Sequence, residues 1–295
     1  MNNSKCNLCP RKCNVDREKK LGYCMAPNKI VVANASLYFF EEPCISGNKG
    51  SGTIFFSYCN LKCIFCQNYE ISIEHVGKEI TIEKLSNICL VLQRKGALNI
   101  NLVTPTCYIN FIIDAIKLAK ENGLKLPIVY NTSGYETVET IKLLKGTVDI
   151  YLPDIKYYSD EKAIKYSNAP NYFKIATSAL QEMYNQVGKA KFNKDNIMIK
   201  GVLVRHLMLP NMKEDSKKII EYLYNTYKDN IYISIMNQYT PMKKYKFNEL
   251  NQTIDNNSYD EVINYAYDLG VRNAYIQEGG TCDKSFIPDF KSQNF

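Results

Sequence analysis

The residues with the most chemistry in them are cysteines. Cys59, Cys63 and Cys66 stand in the spacing C-x3-C-x2-C, and Cys6, Cys9, Cys13 and Cys24 form a second compact group upstream. A structural zinc site closes on four ligands, and an electron-carrying iron–sulfur cluster is held by four thiolates. Three thiolates without a near fourth are different. On a [4Fe–4S] cube they leave one iron open to a ligand that is not protein. The amino and carboxylate groups of S-adenosylmethionine can chelate that iron, which brings the sulfonium beside the cluster. A cluster of ferredoxin-type potential, roughly −400 mV, can then push an electron into the S–C5′ bond. The expected products are methionine and a 5′-deoxyadenosyl radical that abstracts hydrogen from a substrate. Phe65, just before the last cysteine, suits an aromatic contact with the adenine.

The upstream group, Cys6-x2-Cys9-x3-Cys13-x10-Cys24, is a complete four-thiolate set. It can wrap one tetrahedral zinc ion or hold an auxiliary [4Fe–4S] cluster; spacing leaves both open. Arg11, Lys12, Arg17, Lys19 and Lys20 would offset the thiolate charge in either case. Of the other cysteines, Cys89 and Cys107 read as buried apolar thiols, and Cys44 and Cys282 have no assigned place. His75 reads as a loop residue.

These groups need elements to position them. Residues 1–45 read as irregular, and from there strands alternate with helices. Thr53–Ser57 is a short strand running straight into the cysteine triad. Leu85, Ile88, Cys89 and Leu92 share one face of a helix over 81–95. A strand at 101–104 precedes a second apolar helical stripe, Phe111 to Ala119, which stops at Gly123. Strands at 127–131, 148–152, 197–204, 231–235 and 273–277 alternate with helices at 135–145, 170–187, 214–228 and 258–269. This alternation implies βαβ units and a parallel sheet. Six or seven repeats predict an open, partial (β/α)6 barrel of the TIM type. The domains expected are a cysteine-rich metal-binding extension over 1–45, a core barrel over 46–280 and a tail over 281–295. In such a barrel, chemistry sits on loops at the strand C-terminal ends, where the triad falls.

The triad segment resembles the signature of the radical S-adenosylmethionine superfamily, and the likeness extends along most of the chain. Pro43-Cys44-Ile45-Ser46-Gly47, Gly50–Ser57 and Cys66-Gln67-Asn68-Tyr69 resemble proteins related to the pyruvate formate-lyase activating enzyme. More closely, the chain is similar to a branch of that group in which a cysteine box precedes the radical motif. Asn101–Thr106, Tyr130-Asn131-Thr132-Ser133-Gly134-Tyr135, Tyr151–Lys156 and Arg205–Pro210 carry that likeness. The resemblance implies further site residues. Thr104-Pro105-Thr106 stands where activating enzymes use Gly-Gly-Glu to bind the cofactor's amino group. The glutamate is absent, so Thr104 and Thr106 hydroxyls or carbonyls are expected to accept instead. Asn131 and Ser133 are expected to bond the cofactor's polar groups. Asp154 and Lys156 match an Asp-Leu-Lys segment and are expected to hold ribose hydroxyls and the methionine carboxylate. Their spacing puts them on one face of an extended segment, where a plain ion pair is the alternative. Arg205 and His206 end the fifth strand. One of them is expected to face substrate or cofactor carboxylate, the alternative being a rim ion pair. Gln277-Glu278 reads as structural.

Composition narrows the rest. At 45% hydrophobic and 23% charged the chain can bury a core. No apolar run reaches the roughly 18 residues of a membrane span, so no membrane partner is expected. The N-terminus lacks the apolar region of a secretory signal, and many cysteines in a reducing compartment favour metal ligation, so the expected location is cytoplasmic. The formal charge is +7, but lysines alternate with acids along helix faces, so nucleic acid is not the expected partner. A low-potential electron donor of ferredoxin or flavodoxin type is expected, with a protein as substrate, as for glycyl-radical activating enzymes. Residues 67–80 contain no cysteine, so the ferredoxin-like insert of some activating enzymes is missing. The alternatives are a radical enzyme that modifies RNA and a non-catalytic electron carrier. An electron carrier gains nothing from an open iron.

Overall fold

The computed structural model describes residues 5–277 and residue 290. In chain order the strands are β1 (Ile30–Tyr38), β2 (Ser51–Phe56), β3 (Lys78–Ile80), β4 (Ile100–Val103), β5 (Ile128–Thr132), β6 (Ile150–Pro153), β7 (Lys191–Phe192), β8 (Met198–Leu207), β9 (Tyr232–Met236) and β10 (Ala274–Ile276). The helices are α1 (Pro43–Ser46), α2 (Tyr69–Ser72), α3 (Ile82–Arg94), α4 (Ile109–Glu121), α5 (Val138–Leu143), α6 (Asp160–Ser167), α7 (Tyr172–Val187), α8 (Lys213–Tyr227) and α9 (Asn256–Leu269).

The sheet order is β10-β9-β8-β6-β5-β4-β2-β1-β3, with β7 paired to β8. From β2 to β10 every neighbouring pair on this path is parallel, whereas β1 runs antiparallel to both β2 and β3. Among the described residues β10 and β3 do not pair, so the barrel stays open along one side. This is the partial α/β barrel that the alternation predicts.

The expectation that residues 1–45 are irregular throughout is corrected at β1. Ile30-Val31-Val32 opens a nine-residue strand that is mostly buried. Its β-branched start is an ordinary strand signal, and it joins the barrel sheet rather than the cysteine-rich segment before it. The helix expected over 135–145 shortens to α5. Gly134 has φ +77°, and a Cβ there would run into the Asp154 carbonyl, so the chain turns tightly against β6 before α5 begins. Helix α6 was not foreseen. It is short and capped by Ser159, whose side chain accepts from the Lys162 N–H.

The helices follow from their patterns. Leu85, Ile88, Cys89 and Leu92 of α3 are buried, as are Ile112, Ala115, Ile116 and Ala119 of α4. Burying each large aliphatic side chain contributes about 1.5–3 kcal/mol. Thr81 caps α3 by accepting from Lys84 N–H at 3.1 Å. No helix among the described residues is long and apolar enough to cross a membrane.

Strand alternation decides what enters the barrel. Val129, Ile150, Leu152, Met198 and Leu203 point inward and pack with Cys44 and Ile45 of α1 as an apolar floor. Cys44 therefore has a place, as a buried floor residue. Above that floor the next inward positions are polar, and they make the site.

Candidate active site

A cavity of about 410 Å³ lies at the C-terminal ends of the strands. Cys59, Cys63 and Cys66 line it, together with Phe65, Thr104, Asn131, Ser133, Asp154, Lys156 and Arg205. Most of the residues expected to bind cofactor are thus gathered in one place from five strands.

The cysteine loop leaves β2 at Ser57 and is held by its surroundings. Tyr58 and Lys62 have φ of +71° and +62°, conformations that side chains rarely adopt. Such backbone strain persists only where neighbouring structure imposes it. Tyr58 N–H donates to Ile71 C=O at 2.8 Å, Ile64 N–H to Tyr166 C=O at 2.9 Å, and Asn60 Nδ2 to Tyr135 C=O at 2.8 Å. Each thiol also receives a donor. Leu61 N–H reaches Cys59 Sγ at 3.4 Å, Ser167 Oγ reaches Cys63 Sγ at 2.8 Å, and Ser72 Oγ reaches Cys66 Sγ at 3.3 Å. Hydrogen bonds to ligand sulfurs tune an iron–sulfur cluster.

Burial pushes the Cys59 thiol up to about 11 and the Cys63 thiol to about 12, and it raises Cys66 too. Three such groups become thiolates only against strong positive charge, and iron supplies it. No other cysteine lines the cavity among the described residues. This donor set therefore fits a cluster with one iron left to a non-protein ligand. Among the described residues no three His, Cys, Asp or Glu side chains are gathered tightly enough for a single ion.

Asp154 and Lys156 follow β6 on its inward face. Lys156 Nζ donates to Asp154 Oδ2 at 2.6 Å, and their side chains are 17% and 22% exposed. Burial works to lower the Lys156 ammonium, but the Asp154 carboxylate and Cys63 outweigh it and hold the group above its ordinary range. Tyr172 braces the pair. Its hydroxyl donates to the carbonyls of Ser133 at 2.8 Å or Asp154 at 3.0 Å and accepts from Lys156 N–H at 3.0 Å. Thr104 has φ +58°, and its N–H donates to Asn131 C=O at 2.9 Å, which ties the ends of β4 and β5 together at the cavity. Phe65 packs edge-on to Tyr239 with centroids 6.0 Å apart.

Three expected residues behave differently. Arg205 reaches the cavity wall but is held by two carboxylates. Its Nε donates to Glu42 Oε1 at 2.8 Å, and its Nη2 donates to both Glu42 and Glu41. Burial works against the Arg205 charge, but the two glutamates keep it well above its ordinary value. His206 is not brought to the cavity. One position on from Arg205, it faces outward, with Nδ1 donating to Ile155 C=O at 2.7 Å and Nε2 at 2.8 Å from Ser216 Oγ. Burial lowers its pKa, which leaves a neutral imidazole. Thr106 also lies off the cavity, with Oγ1 donating to Glu136 Oε1 at 2.6 Å.

Glu136 is a residue that sequence reasoning missed. It is buried, its Oε1 also accepts from the Thr132 and Tyr130 hydroxyls, and burial raises it to about 7 despite those three donors. Ser72 and Ser167 were missed as well, since no spacing rule links them to cysteines near and far along the chain. Gln277 lines the cavity, and its side chain locks the end of β9 by accepting from Asn237 N–H at 2.8 Å. Its neighbour Glu278, like Cys282, lies outside the described residues. His75 stacks on Tyr58 with ring centroids 4.1 Å apart.

The upstream box forms a turn beside the triad loop rather than part of the cavity lining. Cys6 N–H donates to Val15 C=O, Asn14 N–H to Cys6 C=O and Lys12 N–H to Cys9 C=O, at 2.8–3.0 Å. Cys13 Sγ accepts from Tyr23 N–H at 3.2 Å. Burial pushes Cys9 up to about 12. A hydrogen bond from the Cys107 thiol lowers Cys24 to about 6, so Cys107 is a buried thiol with a polar partner.

The sequence model of the radical SAM superfamily matches residues 53–223, from β2 into α8. The chain belongs to the radical SAM superfamily. An uncharacterized protein of Methanocaldococcus jannaschii is 30% identical over 269 residues, covering 87% of this chain and 72% of that one. The pyruvate formate-lyase-activating enzyme of Clostridium pasteurianum is 30% identical over 181 residues, covering 60% of this radical SAM protein and 68% of the relative. In fold, the chain is similar to HydG, a maturase of the [FeFe]-hydrogenase, with a TM-score of 0.55 and 16% identity over 83% of this chain and 56% of HydG. Membership of this superfamily makes the chain an enzyme and implies a [4Fe–4S] cluster and S-adenosylmethionine.

Proposed function

We propose that the protein cleaves S-adenosylmethionine reductively at a [4Fe–4S] cluster held by Cys59, Cys63 and Cys66, and passes the resulting radical to a protein substrate. The observation that carries this reading is the gathering of three thiols and a set of strand-end polar groups around one cavity. When bound and reduced, the cluster supplies the electron that breaks the sulfonium S–C5′ bond. The chain's own residues bind and orient. Lys156 keeps its ammonium charged beside Asp154 and has two further N–H donors for the methionine carboxylate. Asp154 offers its second carboxylate oxygen to ribose hydroxyls. Asn131, Ser133 and the Thr104 hydroxyl or carbonyl, which line the cavity, are assigned to the amino group and ribose in place of the absent glutamate. Phe65 gives the adenine an apolar wall.

The protein-substrate half is supported by the likeness to a pyruvate formate-lyase-activating enzyme. A low-potential donor of ferredoxin or flavodoxin type is the proposed reductant. The N-terminal cysteines are proposed to hold a second centre, zinc or iron–sulfur.

The test reduces the anaerobic protein with dithionite, adds S-adenosylmethionine and measures 5′-deoxyadenosine by chromatography. Product well above a Cys63→Ala control is expected, and none above it contradicts the reaction. Deuterium carried into 5′-deoxyadenosine from labelled protein supports the substrate class; deuterium arriving only from labelled RNA overturns it.

A further inference from the structure

Arg11 stands between Cys9 and Cys13 at the tip of the N-terminal turn, and its side chain leaves that turn altogether. Nε donates to Asn60 C=O at 2.8 Å and Nη2 to Leu61 C=O at 3.4 Å. These two carbonyls lie between Cys59 and Cys63. The other two acceptors are Asn168 C=O, at 2.5 Å from Nη1, and Ser167 C=O, at 3.4 Å from Nη2. Ser167 is the residue whose hydroxyl donates to Cys63 Sγ. One guanidinium therefore grips both the loop that carries the cysteine triad and the C-terminal end of α6, whose Ser167 hydrogen-bonds one of the thiols.

The grip is reinforced from the box. The guanidinium lies 3.9 Å from the centroid of the Tyr23 ring and 5.2 Å from that of Tyr135. Tyr23 precedes Cys24, donates its N–H to Cys13 Sγ at 3.2 Å and donates its hydroxyl to Leu61 C=O at 3.3 Å. Among the described residues no carboxylate forms an ion pair with Arg11. Its charge is left facing carbonyls of a loop whose three thiolates, once ligated, carry negative charge. Pinning a long side chain costs conformational entropy, and a fork of donors matched to several acceptors is what Arg offers and Lys does not.

We propose that Arg11 is a positioning residue that couples the two cysteine regions: the filled N-terminal site fixes the turn, the turn fixes Arg11, and Arg11 holds the Cys59–Cys63 loop and the Ser167 hydroxyl in register with the catalytic cluster. This rests on the reading that both cysteine groups hold metal. The N-terminal site is then a clamp for the catalytic one as well as a centre of its own.

The experiment uses the full-length protein, anaerobically loaded, and reads three quantities: metal in each site, the rate at which a chelator strips the catalytic iron, and the EPR signal of the reduced cluster with S-adenosylmethionine. In Arg11→Ala the N-terminal metal is expected to stay, while catalytic iron is stripped at least tenfold faster and the EPR signal broadens. Arg11→Lys, which keeps charge and folding but loses the fork, is expected to fall between Arg11→Ala and wild type. Lys29→Ala removes an exposed cation that bonds Glu79, away from both cysteine groups, and is expected to match wild type. Emptying the N-terminal site with Cys13→Ser is expected to mimic Arg11→Ala, and the double variant to be no worse than either single one. Wild-type stripping rate and EPR signal in Arg11→Ala, with both metals present, overturn the coupling alone. A wild type that lacks either metal centre overturns the coupling together with the reading beneath it.

Discussion

The two cysteine regions are built on opposite principles. Cys59, Cys63 and Cys66 come off a buried strand, face a cavity and receive hydrogen bonds from Leu61, Ser167 and Ser72 respectively. All three thiols are raised by burial. The N-terminal cysteines sit on short turns, and there burial raises Cys9 while a hydrogen bond from Cys107 lowers Cys24. The barrel core can hold the triad in place before any metal arrives. At the N-terminal turn the proposed second centre would add folding energy on binding. The two proposed ligand sets, one carried off a barrel strand and one carried on turns, read alike in sequence, as cysteines at short spacing.

Replacing all three triad cysteines by Ala breaks this comparison most severely. Loss of all catalytic iron is expected, with the N-terminal metal retained, by iron and zinc analysis of the purified variant. Retention of the full iron content counts against the assignment. Next in size is Arg205→Ala, which leaves Glu41 and Glu42 buried without their partner. Breaking a buried ion pair on one side costs about 3–5 kcal/mol, so a loss of that order is expected in denaturant unfolding. An unchanged midpoint would make Arg205 a ligand-binding group after all.

Glu136 lies between the two regions, bonded to Thr106 and Thr132 and close enough to Cys9 to help raise it. Its folded value is raised by burial from 4.5 to about 7. Stability linked to it is therefore present in full below the unfolded value and lost as pH rises through about 7. Glu136→Gln is expected to flatten that dependence and to stabilise the protein at pH 8 by on the order of 2–3 kcal/mol, measured as midpoints across pH. A variant with the wild-type profile excludes the titration.

The smallest expected effect is at Lys156. Loss of one charge-assisted contact costs about 1.5–3 kcal/mol, so Lys156→Ala should weaken S-adenosylmethionine binding by about one to two orders of magnitude. Calorimetry on the loaded protein measures it, and unchanged affinity would reduce Asp154–Lys156 to a plain ion pair.

Much of this was legible in the sequence because period and spacing are local. The β/α alternation fixed the barrel, and C-x3-C-x2-C after a strand fixed the position of the triad. Asn131, Asp154 and Lys156 were expected at the site from the family resemblance of their segments, and their positions after strands agree with it, because strand ends converge in a parallel barrel. What could not be read was pairing at a distance. Arg205 and His206 are adjacent and looked equivalent, yet alternation sends one inward to Glu41 and Glu42 and the other outward to Ser216. The glutamates lie 163 and 164 positions away from Arg205, beyond any spacing rule. β1 was missed for a different reason: its apolar run was read with the cysteine-rich segment before it, although Pro27-Asn28 marks a turn between the two.

The central claim is that three thiols hold a cube with one iron left open. Mössbauer spectroscopy of wild-type protein loaded with iron-57 tests it most directly, read as the difference between spectra with and without S-adenosylmethionine. Addition of S-adenosylmethionine is expected to shift one iron of the catalytic cube to a site of higher coordination and leave its other three unchanged. Four irons that all ignore the added cofactor would contradict the account.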